Sequence, residues 1–205
     1  MFTPMKDLPK QLMLLKFITP GLFILLFAPH AYAHTGIGPH NGWMHGFMHP
    51  LAGLDHVLAM IAVGLWAAQT GGRAVWVVPL TFVNVMVLGG LLGMMTPALT
   101  FTEHGIAISL LVSGVLIVTA RQLPLAVSAA LVGLFAFCHG YAHGSEMPQN
   151  ISAFSYSAGF TLATVLLHLC GIGIALFFKR LGRIHWLRLT GIVVAGYSSN
   201  FLLAG

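Results

Sequence analysis

The stretch HPLAGLDHVLAMIAVGLWAAQ, from His49 to Gln69, decides the fold class. Between Leu51 and Gln69 the only strongly polar residues are Asp55 and His56, and the length matches the roughly 20 residues that a helix needs to cross a bilayer. Of all 205 residues, 6% are charged and 58% are hydrophobic, whereas a soluble domain normally carries about 25% charged residues. This composition excludes a soluble enzyme and predicts an integral membrane protein.

Five further apolar stretches follow, and their short connections predict an all-α membrane bundle of six transmembrane helices. All Lys and Arg residues after position 33 then fall at alternate connections, which the positive-inside rule places in the cytoplasm. We therefore expect a multi-pass protein of the bacterial inner membrane with a periplasmic mature N-terminus. The basic excess reports orientation in the lipid bilayer, so no nucleic-acid partner is expected. The predicted spans are Leu51–Gln69, Ala74–Met95, His104–Ala120, Leu123–His139, Phe154–Phe178 and Leu187–Ala204.

The first 33 residues have the outline of a cleavable signal peptide. Three lysines precede an apolar run from Phe17 to Phe27, and Ala31-Tyr32-Ala33 provides the small-x-small pattern that signal peptidase recognises. An uncleaved first transmembrane helix is the alternative, but the run falls well short of the roughly 20 residues required. The sequence thus predicts a signal peptide at 1–33 and a six-helix transporter domain at 34–205.

The first polar motif runs from His49 to His56. Pro50 favours a first helical position, so His49 is expected to cap the helix, and His49 and His56 would share a face two turns apart. Asp55 flanks that face, and a carboxylate inside a span costs about 2.5 to 3.5 kcal/mol unless it meets a partner or water. A metal-ligating role is the favoured interpretation, and a capping or helix-packing role is the alternative.

The second motif lies at the outer end of the predicted fourth span. If the helix continues, His139, His143 and Glu146 lie on one side at spacings of four and three. The alternative is a hydrated loop that turns at Gly140 and Gly144. Because the first and fourth spans run in opposite directions, the two motifs meet at the same face of the membrane. The sequence therefore predicts one shared site.

Imidazole and carboxylate groups suit nickel, cobalt, zinc or copper, whereas calcium and magnesium prefer oxygen ligands alone. After cleavage, the amine and ring of His34 could form an additional chelate that favours copper; the alternative is a mobile terminus without a metal role. His168 lies in the middle of an apolar span, where a hydrogen bond between helices is a better expectation than a role in an ion path.

At these motifs the sequence resembles the HupE/UreJ family of hydrogenase and urease accessory permeases. The similarity lies in the His-Pro-x-x-Gly-x-Asp-His block from His49 to His56 and in the block from His139 to Pro148, and it extends over essentially the whole mature chain. It implies a secondary transporter, not an enzyme, that takes up nickel or cobalt from the periplasm. The resemblance implicates His49, Asp55 and His56 in metal binding, with His139, His143 and Glu146 as helpers.

The resemblance does not decide whether the transported metal is nickel or cobalt, and zinc and copper are secondary candidates. No permanently bound cofactor is expected. It is compatible with a metallochaperone or a metalloenzyme maturation system as cytoplasmic partner. Two alternatives from other classes remain: a membrane-bound metal sensor or metallochaperone, and an electron carrier that holds haem between histidines. The haem interpretation is the weaker one, because paired histidines deep in the spans are scarce.

Overall fold

The computed structural model describes residues 42–97, 99, 101–148 and 150–204, with only the backbone described from 200 onwards. The predicted signal peptide and His34 lie outside these residues. Within them the chain is entirely helical, without a strand, which confirms the all-α prediction. The helices are α1 (Gly42–Ala52), α2 (Leu54–Thr70), α3 (Ala74–Met95), α4 (Phe101–Thr119), α5 (Leu125–Ser145), α6 (Ala153–Arg180) and α7 (Ile184–Ala204).

Four of the described helices, α3 to α6, are long and apolar enough to cross a membrane. Helices α1 and α2 pass the same test only as a pair, which is bent by 83° and forms either a broken span or a re-entrant loop. The described residues therefore contain four or five candidate spans, as a multi-pass membrane protein requires. Helix α7 coincides with the predicted sixth span but is not among these candidates, so the count of six spans stays a prediction.

Helix α2 forms the centre of the bundle and packs against α3, α4 and α6. Its side chains from Ala62 to Ala68 are all buried. At its end, the Lys179 ammonium on α6 donates hydrogen bonds to the carbonyl oxygens of Ala68 and Gln69, which have no partner within α2 itself. A cation also suits the negative end of the helix dipole. The carboxyl ends of α2 and α6 therefore lie together, and the two helices run parallel.

Close backbone contact between α3 and α5 fixes the position of the second motif relative to α3. A Cβ atom at Gly140 would overlap the carbonyl oxygen of Met86, and one at Gly144 would overlap that of Gly90. Only glycine allows this approach. Both glycines lie inside α5, so the interpretation of this segment as a hydrated loop is wrong. The contact with α3 fixes the histidines of α5 in the bundle.

Candidate metal centre

The first motif is divided between two helices by a break at Gly53. The sequence predicted that a helix begins at Pro50 with His49 as its cap, and this prediction is wrong. Pro50 lies inside α1, and the backbone becomes extended at Gly53, with φ −105° and ψ 124°. His49 and His56 therefore do not share one helical face. The 83° bend instead brings both imidazoles against His143, with ring centroids 4.7 and 4.4 Å away.

Gly53 also makes room for the pair that follows it. A Cβ atom at this position would lie 2.5 Å from Asp55 Oδ1 and 2.8 Å from His56 Nδ1. Both distances are shorter than ordinary van der Waals contact between such atoms. The glycine in the motif thus allows the Asp55 and His56 side chains to fold back over the break.

The second motif extends α5 beyond the predicted boundary. The fourth span was expected to end at His139, but the helix continues to Ser145, and Glu146 occupies its C-cap position. His139 and His143 are buried, with 0% and 4% of their surfaces exposed. The expected spacing brings the Glu146 carboxylate back to the helix, with Oε2 3.8 Å from His143 Nδ1.

Three of the predicted residues converge into one cluster, which we call the outer triad: His49, His143 and Glu146. His49 Nε2 lies 2.8 Å from His143 Nδ1 and 3.7 Å from Glu146 Oε2. Ligands at about 2.0 to 2.2 Å from a shared ion lie roughly 3 to 3.5 Å from one another. The triad atoms are close to that spacing, and a cation would replace the proton that the two imidazoles share.

A second group, Asp55 and His56, lies beside the triad. His56 Nδ1 is 2.8 Å from Asp55 Oδ1, so the ring donates its Nδ1 proton to the carboxylate. The proton on Nδ1 leaves a lone pair on Nε2, which is buried and has no hydrogen-bond partner among the described residues. Metal-ligating histidines are typically oriented by a carboxylate in this way.

The His139 ring is oriented in the same way, with a backbone carbonyl as the acceptor in place of the carboxylate. Its Nδ1 lies 2.9 Å from the carbonyl oxygen of Phe135, and since a carbonyl only accepts, Nδ1 carries the proton. Nε2 is again a buried lone pair without a partner in the described part of the chain. The ring centroid lies 5.8 Å from that of His56. Asp55, His56 and His139 therefore adjoin the triad without lying in it.

The triad reaches the surface through Glu146 and His49, while its third member, His143, is buried. The Glu146 side chain is 51% exposed and that of His49 is 34% exposed, while His56 is at 14% and His139 is fully buried. An ion would therefore meet the carboxylate and His49 first. The geometry permits capture from one end of the bundle followed by exchange of water for imidazole nitrogen.

Sequence reasoning missed the aromatic residues that enclose the triad. Tyr156 and Phe160 of α6 have ring centroids 5.9 and 6.1 Å from that of His49, and Phe160 also packs 4.7 Å from His143. Their spacing of four places them on one helical face, which was the available signal. These rings exclude water from one side of the triad and limit the directions in which its imidazoles can turn.

The described structure is that of a multi-pass membrane helix bundle with histidine and carboxylate ligands gathered at one end. The chain belongs to the HupE/UreJ family, because the family described as "HupE / UreJ protein" matches residues 22–201. A relative named "Protein HupE" from Rhizobium leguminosarum bv. viciae is 45% identical over 168 residues, which cover 82% of this chain and 87% of the relative. No solved structure matches the chain. The resemblance inferred from the two motifs is thus confirmed.

Proposed function

We propose that this protein is a secondary transporter that takes up nickel or cobalt from the periplasm into the cytoplasm. The observation that carries the proposal is the outer triad, in which two imidazoles and a carboxylate from α1 and from the end of α5 converge. This ligand set suits borderline divalent transition metals. Membership of a family of hydrogenase and urease accessory permeases supports transport, rather than catalysis, as the role of the site.

The triad offers three ligands and partial exposure, as transient binding requires. A conducted ion must bind well enough to enter and weakly enough to leave, so we expect water to complete the coordination. In the proposed topology, with six spans and the mature N-terminus in the periplasm, a divalent ion moving inward gains about 4.6 kcal/mol per 100 mV of membrane potential. That gain permits accumulation on the order of a thousandfold without a further energy source.

Within this proposal the other predicted residues have distinct parts. Asp55, His56 and His139 receive the ion after the triad, since the free Nε2 atoms of His56 and His139 are buried while the triad reaches the surface through Glu146 and His49. His34 stays a predicted additional chelate at the mature N-terminus. No cofactor is bound permanently, and a metallochaperone or a metalloenzyme maturation system receives the metal in the cytoplasm.

The test is uptake of radioactive nickel and cobalt by proteoliposomes that contain the purified protein, with and without an imposed potential. His143→Leu removes the central ligand and should reduce uptake on the order of tenfold or more. His45→Leu is the matched control, because His45 lies exposed on α1 outside the triad. If the His143→Leu variant takes up metal at the wild-type rate, the assignment of the triad is refuted.

The same preparation distinguishes the alternatives. Stoichiometric metal binding without uptake would identify a sensor or metallochaperone and overturn transport. A Soret band in the purified protein would identify a haem carrier. Competition between nickel and cobalt in the uptake assay would establish which ion is preferred.

A further inference from the structure

His168 is the single histidine of α6, and its environment in the membrane-spanning part of the bundle is unusual. Only 2% of its surface is exposed. Neither ring nitrogen has a hydrogen-bond partner among the described residues, so the hydrogen bond between helices that the sequence suggested is not formed there. Buried polar groups are nearly always satisfied, and an exception calls for a water or an ion.

The surroundings of His168 contain two further donors from other helices. Its ring centroid lies 5.0 Å from that of Phe82 on α3, and the same Phe82 ring lies 5.5 Å from that of His139 on α5. Met86 lies one turn after Phe82 and is buried, and its sulfur accepts a hydrogen bond from Thr164, one turn before His168. Phe82 therefore contacts both imidazoles that have free nitrogens, and the Met86 thioether lies one turn further along α3.

His168 lies deeper in the bundle than the outer triad, while His139 lies one helical turn before His143 on α5. A Cβ atom on Gly64 of α2 would overlap the carbonyl oxygen of His168, and Gly64 follows His56 by eight residues, or about 12 Å along the helix. A cleft lined by both His143 and Met86 extends from the triad to one of the three side chains. The cleft also borders Gly140 and Gly144, the two glycines at which the backbone of α3 packs directly on α5.

We propose that His139, His168 and Met86 form a second cation site, here called the inner station, through which the metal passes after the triad. The inference rests on the proposed transport function and deepens it. Imidazole nitrogen suits nickel and other borderline divalent metals, and the thioether sulfur of Met86 adds a softer donor. All three ligands are neutral, so the station holds a dication less tightly than the triad with its carboxylate. An ion there can leave towards the cytoplasm.

The first test compares His168→Leu with His185→Leu in proteoliposomes. His185 is exposed near the start of α7, so the control makes the same chemical change away from the station. We expect His168→Leu to lower the maximal uptake rate by about tenfold while the equilibrium affinity of the protein for cobalt, which the triad dominates, stays unchanged. Wild-type uptake rates in His168→Leu would overturn the inner station.

The second test does not depend on transport or on tolerance of leucine. His168→Cys, made together with Cys138→Ala and Cys170→Ala, places one thiol at the station. A thiolate binds cobalt strongly, so the ion should be trapped there and give a thiolate-to-cobalt charge-transfer band. The parent with both alanine substitutions and His168 intact is the control and should lack the band. Absence of the band in the cysteine variant, while cobalt still binds the triad, would overturn the proposal.

The two proposals fail in different ways. If the wild type takes up no metal, the transport function fails, and the cobalt band still decides whether the station binds a cation. If the wild type takes up metal but His168→Leu does so at the same rate, only the station fails.

Discussion

Replacing Asp55 by asparagine tests whether the carboxylate acts through His56. Asp55 Oδ1 lies 2.8 Å from His56 Nδ1, and asparagine has nearly the same shape, with a carbonyl oxygen that can still accept this proton. The change therefore removes the negative charge and leaves room for the same geometry. What is lost is the charge-assisted character of the hydrogen bond, which is about twice as strong as a neutral one, together with the basicity it gives to Nε2.

Partners that orient a ligating histidine typically contribute 10- to 100-fold to metal affinity. We expect Asp55→Asn to weaken cobalt or nickel binding within that range, equivalent to about 1.4 to 2.7 kcal/mol. Removal of a negative charge beside a dication acts in the same direction. Isothermal titration with purified protein measures the affinity, and uptake at limiting metal should fall by a similar factor while the protein remains in the membrane.

A double-mutant cycle makes the reasoning refutable. If Asp55 acts by orienting the ring, Asp55→Asn should cost much less in a His56→Leu background than in the wild type. Equal losses in both backgrounds would show that the carboxylate acts independently of His56, for instance as a direct ligand. Normal uptake by the single Asp55→Asn variant would remove Asp55 from the mechanism altogether.

Two further predictions address the break and the imidazoles. Gly53→Ala should weaken metal capture, because its Cβ would lie 2.5 Å from Asp55 Oδ1, while Gly173→Ala, which meets nothing within 4 Å, should not; equal affinities in titrations of the two variants would contradict this account. Uptake at a clamped potential should fall as the outside pH is lowered from 8 to 5, since protons compete with the metal for the imidazole nitrogens and a protonated ring cannot ligate metal. A flat pH profile would argue against imidazole ligation.

The meeting of the two motifs could be predicted from the sequence because it follows from direction alone. Alternating spans place the amino end of the first beside the carboxyl end of the fourth, and the short spacing from His143 to Glu146 fixes the carboxylate against the ring. The structure confirms this convergence, with His49 Nε2 2.8 Å from His143 Nδ1. No knowledge of side-chain packing was needed for this part of the site.

The break at Gly53 could not be predicted in the same way. Proline favours the first turn of a helix, so Pro50 indicated that a helix starts there. A glycine inside an apolar run is tolerated, so Gly53 gave no sign of a helix break. Tertiary contacts decide where the helix breaks. Gly46 of α1 packs against the backbone of Tyr156, and the Asp55 and His56 side chains fold over Gly53. Such contacts join residues far apart in the chain.

The unsatisfied nitrogens of His168 belong to the same class of missed features. From the sequence, a histidine in an apolar helix suggests a partner on a neighbouring helix, and whether one exists depends on which residues face it. Here a neighbouring residue is Phe82, whose ring lies 5.0 Å from that of His168 between centroids and carries no oxygen or nitrogen acceptor. The pattern of apolar and polar residues fixes the depth of His168 but not its neighbours.

The charge of the expected substrate follows from the backbone as well as from the ligands. His49 lies in the last turn of α1 and His143 in the last turn of α5, so two helix carboxyl ends point at the triad. Each such end favours a cation by about 0.3 to 1 kcal/mol, and Glu146 at the C-cap of α5 adds a full negative charge. A proton on an imidazole nitrogen blocks metal ligation at that atom, so protons compete with the metal for the triad. Competition of this kind is the physical reason why uptake should depend on the outside pH.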